Sequence, residues 1–302
     1  NQLMLLSLYM SPDEGLTPLF EILPTQLTYL ALLSGHINRY WTALARQPHL
    51  SQLQGSIDYG KPNIGNIEEV LPRLLELDVT LENDEWSNAG SSQDFKPPPP
   101  IPEFYLYLPL ASQLTSLKMQ FQAFELDTSK LAACWPSLTR LETLVLQAGT
   151  MQTLAPETIS GISHLTRLRQ LDLVTVGGGD YILELLPLLP ALQFANLSIQ
   201  SDAVRLEPIP KLGLLDLDVA GGPRFVFCLL DALVSPQRVQ LRSKWNTLLD
   251  MKAPNMQNWS DLHVLDLGDQ SGIWNMEALM GLGAQFAKLP QLHTLTIRTI
   301  SL

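Results

Sequence analysis

Cysteine is nearly absent from this chain, and charge is sparse and one-sided. Only Cys134 and Cys228 occur in 302 residues, too few for the disulfide framework of a small secreted scaffold. Both lie in apolar stretches (LAACW and FVFCLL), which assigns them to buried filler rather than to reactive thiols. Charged residues make up 16% of the chain, with 30 acidic against 19 basic and a net charge of −11. The clustered basic surface that nucleic acid or an anionic membrane requires is therefore not expected. No apolar run reaches the length of a membrane span, and no signal peptide is visible. These absences favour a reducing, intracellular setting, cytoplasmic or nuclear. The sequons at Asn196 and Asn258 are short enough to arise by chance and do not change that expectation. A hydrophobic content of 46% excludes a disordered chain and demands a buried core.

What the chain does have is a recurring leucine spacing, L-x-x-L-x-L or a close variant. The clearest copies are Leu168, Leu171 and Leu173; Leu141, Leu144 and Leu146; Leu262, Leu265 and Leu267; and Leu212, Leu215 and Leu217. The first apolar position of each copy serves as an anchor: Leu3, Leu27, Leu50, Leu74, Leu114, Leu141, Leu168, Leu192, Leu212, Pro236, Leu262 and Leu292. The steps between anchors are about 24, 23, 24, 40, 27, 27, 24, 20, 24, 26 and 30 residues, in the range of stacked strand-plus-return units. A second column agrees with the first. Two residues before most anchors stands Pro, Ser or Thr, as at Pro48, Pro72, Ser112, Thr139, Pro190, Pro210 and Pro290, which suits the end of a return segment. An apolar residue precedes that column, as at Leu71, Leu138, Ile209 and Trp259. Each unit is too small to hide its own apolar face and must stack on its neighbours. The spacing predicts about twelve strands in one continuous domain over residues 1–302, its sheet on the order of 50 Å wide.

The long step after Leu74 predicts a proline-rich insertion at 83–111, with aromatic residues from Trp86 to Tyr107 folding back on the scaffold. Helical spacing in the returns at 17–23, 127–134, 181–189, 225–233 and 276–289 predicts short helices, while the units at Leu192 and Leu212 leave room for little more than a turn. The chain opens inside a repeat at Asn1 and closes just after a strand, which is expected of a piece of a longer protein.

Candidate chemistry is thin. Cys228 and Asp231 are embedded among Phe225, Val226, Phe227, Leu229 and Leu230, a packing context rather than a nucleophile's. Gly177 to Asp180 lacks the Walker lysine and hydroxyl and the GxGxxG spacing, so a flexible connector is expected. His263 and His293 each follow an anchor and should be near neighbours, but a metal site ordinarily needs three or four ligands. Ser, His and Asp show no catalytic grouping. No cofactor, metal or catalytic site is expected.

Alternation along the strands places Asp172, Asp216, Asp218, Asp266 and Asp269 on one outward face, with Arg238, Arg242 and Arg298 nearby. Carboxylates aligned across strands repel, a cost more easily understood if a basic protein partner docks there. These eight residues are the candidate partner-binding set. Towards the N-terminus the same face turns apolar (Leu5, Tyr9, Met10, Tyr29 and Leu33).

The strand motif resembles that of the leucine-rich repeat superfamily over essentially the whole chain. That resemblance implies an α/β solenoid, a horseshoe with parallel strands on the concave face and short helices or turns on the convex face, acting in non-catalytic protein recognition. The chain departs from the plant receptor, ribonuclease-inhibitor and bacterial patterns where their ladder Asn or Cys would stand, at Gly149, Val176, Gln200, Ala220 and Gln270. Irregular, proline-marked repeats of this kind are similar to those of fungal F-box proteins. That similarity implies substrate recognition for a cullin-type ubiquitin ligase whose other subunits would join through a region outside this sequence. The alternative is a regulator or scaffold for another enzyme, such as a GTPase-activating repeat protein, with Arg224 as the loop arginine to test.

Overall fold

The computed structural model describes residues 5–8, 25–58, 65–82, 104–121, 128–149, 153–199, 210–243, 258–269, 283 and 286–299. The chain divides into two compact units, Asn1–Leu165 and Thr166–Leu302. The first contains strands β1 (Leu5–Leu8), β2 (Tyr29–His36), β3 (Gln52–Asp58), β4 (Glu76–Glu82), β5 (Ser116–Phe121) and β6 (Thr143–Ala148). The second contains β7 (Gln170–Thr175), β8 (Phe194–Ile199), β9 (Asp216–Gly221), β10 (Arg238–Ser243), β11 (Val264–Asp269) and β12 (Thr294–Thr299). Within each unit, strands consecutive in the chain are neighbours in a parallel sheet. One strand per anchor, all parallel, with short helices or turns in the described returns, is a leucine-rich repeat solenoid fold.

Alternate strand residues meet the interior, so the leucine pairs stack into continuous columns. In the first unit Leu53 pairs in register with Leu77, which pairs with Leu117, which pairs with Leu144; all are buried. Burying each such side chain contributes about 1.5–3 kcal/mol.

The two sequence columns before each anchor form a turn. The anchor N–H donates to the carbonyl three residues back: Leu74 to Leu71 (3.1 Å), Leu141 to Leu138 (3.0 Å), Leu192 to Leu189 (3.2 Å) and Leu262 to Trp259 (3.1 Å). The Pro, Ser or Thr falls at the second turn position, where proline's fixed φ fits and no donor is needed. The apolar residue at the first position packs inward.

A main-chain ladder joins successive repeats where each return enters its strand. The carbonyl just after an anchor accepts two consecutive N–H groups from the next unit. Thr28 accepts from Ser51 and Gln52, both at 3.0 Å, and Leu215 from Gln237 (2.8 Å) and Arg238 (3.0 Å). Ser51, Leu75, Thr115, Arg169, Gln193, Gln237 and His263 do the same. A carbonyl has two lone pairs, so one oxygen can satisfy both donors.

That ladder corrects one anchor. Leu217 pairs with Ala195 and Val239, and Val219 with Leu197 and Leu241, so the interior pair is Leu217 and Val219 and the anchor is Leu214, not Leu212. The flanking steps become about 22 residues each. The segment Leu212-Gly-Leu-Leu-Asp-Leu217 satisfies the spacing in two phases, and Pro210 after Ile209 selected the wrong one. Leu212 instead bridges to Leu233, donating to Ala232 O at 2.9 Å and accepting from Val234 at 2.9 Å.

The return segments include α1 (Trp41–Ala45), α2 (Ile67–Val70), α3 (Phe104–Tyr107), α4 (Pro156–Gly161), α5 (Gly179–Leu185) and α6 (Pro223–Ala232). The returns at 181–189 and 225–233 are thus helical, whereas 128–133 is a 3-10 helix. The first four helices carry no sequence expectation, and α6, ten residues long, overturns the expected bare turn in its unit. The returns at 17–23 and, almost entirely, 276–289 lie outside the described residues. So do 83–103 of the insertion; its remainder forms α3 and the 3-10 turn Leu108–Leu110, with Phe104, Tyr105 and Leu108 buried. Gly178, at φ 88°, opens α5 as an ordered left-handed cap where a flexible connector is expected.

Candidate functional site

The outward face of the second unit gathers most of the candidate residues. Because Leu217 and Val219 are the interior pair, Asp218 rather than Asp216 occupies the middle outward position of β9. Across β7 to β11 that position reads Asp172, Asn196, Asp218, Gln240 and Asp266. Carboxylates alternate with carboxamides, so acids in this column stand two strands apart, about 10 Å. The repulsion expected of adjacent aligned acids is relieved by the order of the residues.

Hydrogen bonds and ion pairs do the rest. Asn196 Nδ2 donates to Asp172 Oδ2 at 3.0 Å. Arg242 Nη2 reaches Asp218 Oδ1 at 2.7 Å. Arg298 takes Asp266 in a fork, Nε to Oδ1 at 3.2 Å and Nη2 to Oδ2. With its amide oriented to satisfy both neighbours, Gln240 donates to Asp218 Oδ2 at 3.1 Å and accepts from Arg238 at 3.0 Å. Arg238 stands directly opposite Asp216 in the register. Three carboxylates (Asp216, Asp218, Asp266) thus stand beside three guanidiniums (Arg238, Arg242, Arg298), while Asp172, the fourth acid of the face, accepts from the Asn196 amide. This chain's own arginines offset most of the acidic charge on this face. Each pair is partly solvated, with Arg298 58% and Arg242 43% exposed, so each contributes only about 0–1 kcal/mol to stability. Asp269 closes β11 two residues beyond Leu267, in register with Ser243, and its side chain lies outside the described residues.

Burial pushes the Asp216 carboxyl above its usual 3.8; the Arg238 guanidinium draws it back and Asp218 adds to the rise. The folded state therefore holds this proton to higher pH than the unfolded chain. Its contribution to stability is complete below about pH 3.8 and is lost as pH rises through the elevated value. Asp216→Asn is expected to flatten the fall in stability as pH rises above about 3.8, read from urea midpoints; slopes identical to wild type would disprove the assignment.

Sequence reasoning missed Phe194, which opens β8 on the same face, 43% exposed and registered between Gln170 and Asp216. Its first outward strand position was the available signal. Arg224 is exposed in the first turn of α6. Neither cysteine is poised for chemistry. Cys134 is buried with its thiol against Tyr105 O at 3.2 Å, and burial lifts its pKa to about 11. Cys228 is raised by burial and by Asp180 and Asp231. In the first unit His36 Nδ1 and Ser56 Oγ stand 3.5 Å apart, longer than a working nucleophile–base bond.

No protein-family model matches the chain, and no curated protein does. Among solved structures, that of TLR13 in a complex with ssRNA13 matches at 19% identity and a TM-score of 0.46, over 98% of this chain and 41% of that chain. The chain therefore spans less than half the length of that protein.

Proposed function

We propose that this chain is a non-catalytic recognition module that docks a protein partner on the outward sheet face of its second unit. The observation behind this reading is the paired acid–arginine cluster beside an exposed aromatic, Phe194. Side chains held in register by cross-strand bonds lose little freedom on binding, and aromatic and arginine side chains carry a disproportionate share of interface energy. The partner that fits is a mixed polar surface able to exchange hydrogen bonds with Arg238, Arg242 and Arg298, not a polycation. Among the described residues no helix is long and apolar enough to cross a membrane.

The finer proposal is that the partner is a substrate presented to a cullin-type ubiquitin ligase. It rests on the resemblance of the irregular, proline-marked units to those of fungal F-box proteins. Capture from cells with the wild-type chain and with a Phe194→Ala/Arg238→Glu variant of matched thermal stability tests the docking face. A defined set of proteins should disappear with the variant; an unchanged set would remove this face from consideration. Cullin subunits recovered with any natural chain that carries these 302 residues would support the ligase assignment; their absence would remove it.

A further inference from the structure

We propose that His263 and His293 form a two-imidazole site for a divalent transition-metal ion of the zinc, copper or nickel class. Each residue directly follows an anchor in consecutive units, at the point where a return enters its strand. The backbone holds the two in place: His263 O accepts both His293 N and Thr294 N, each at 3.0 Å. Both side chains are exposed, so an ion can reach them without opening the fold. Their ring centres stand 5.6 Å apart with the planes inclined at 54°.

Those figures suit chelation. A metal–nitrogen bond of about 2.0–2.1 Å places each ring centre about 3.2 Å from the ion, and a tetrahedral angle then separates the two centres by about 5 Å. The observed spacing is about half an ångström wider, within reach of a modest rotation about the side-chain bonds. Face-to-face stacking, which would leave the nitrogens diverging, is excluded by the tilt. Imidazole binds late first-row ions well. Among the described residues no group of three or more His, Cys, Asp or Glu surrounds a common point. Among the described residues the protein supplies two ring nitrogens, and water completes the shell. Such an ion is exchangeable and does not hold the fold, unlike the closed sites of structural zinc. A ligand count taken from the sequence alone excludes this pair, because it considers only sites the protein completes by itself.

The test is titration of the whole chain with Cu²⁺, Ni²⁺ and Zn²⁺ in a non-coordinating buffer. One ion should bind at the pair, and His263→Ala and His293→Ala should each weaken it at least about tenfold, since even losing an outer-shell partner costs that much. His49→Ala, in the other unit, should leave binding unchanged. The Cu²⁺ spin-resonance spectrum should report two nitrogen ligands in the wild type and one in each variant. Binding that survives both substitutions, or no binding to the wild type, would overturn the proposal. Should a variant fail to fold, the wild type still decides: bound metal must slow acylation of both rings by diethyl pyrocarbonate, and unslowed acylation refutes the site.

Discussion

Leu217→Ala is expected to destabilise the second unit by about 2–5 kcal/mol, whereas Leu215→Ala should cost less than about 1 kcal/mol. Leu217 is fully buried and stacks between Ala195 and Val239. Truncating it removes its transfer free energy and leaves a cavity that the neighbouring rungs, fixed by the carbonyl ladder, fill only in part. Leu215 is partly exposed and serves the fold through its carbonyl, which accepts from Gln237 and Arg238; alanine keeps that carbonyl. Urea midpoints at unchanged m-value measure both losses. Equal losses, or the reverse order, would restore the Leu212 anchor and refute the Leu214 phase.

Gly161→Ala should destabilise the first unit by about 1–3 kcal/mol, against the usual gain of about 1 kcal/mol for replacing a helical glycine. A Cβ at this last residue of α4 would stand 2.7 Å from Trp135 Cδ1 and 3.4 Å from Ala132 Cα. Trp135 has nowhere to retreat. It is fully buried, and its Nε1–H donates to Thr158 O at 3.0 Å. Thr158 in turn donates to Thr128 O, and Thr128 Oγ1 accepts from Ala155 N at 2.8 Å. The indole is thus fastened to the same helix whose end it crowds. Combining Gly161→Ala with Trp135→Leu should abolish the penalty of the glycine substitution. If the alanine penalty persists beside leucine, the clash is not its origin.

Much of this architecture is legible in the residues alone. The twelve anchors find twelve strands, and eleven of them are in phase. The Pro, Ser or Thr two residues ahead of an anchor marks a turn, because φ near −65° and the loss of one donor are local properties of proline. Helices are less legible. Trp41–Ala45 and Pro156–Gly161 are too short to display a period, and they persist because Trp41, Leu44 and Ile159 are buried against their neighbours.

The candidate site is half legible. Alternation puts Asp172, Asp218, Asp266, Arg242 and Arg298 on one face, since side-chain direction in a strand repeats every two residues. It does not say which acid meets which arginine, and so it implies repulsion where the fold places compensation.

The sequence by itself determined that this chain stacks parallel rungs over a shared leucine interior, because each rung's period of two and the 20-to-30-residue repeat are written locally. Only the tertiary structure decided that Leu214 rather than Leu212 anchors its unit, and that Asp218 meets Arg242 and Asp266 meets Arg298 across 24 and 32 residues of chain. Those choices depend on how one rung registers on the next. Carbonyl bonds between units set that register, and no local spacing encodes it.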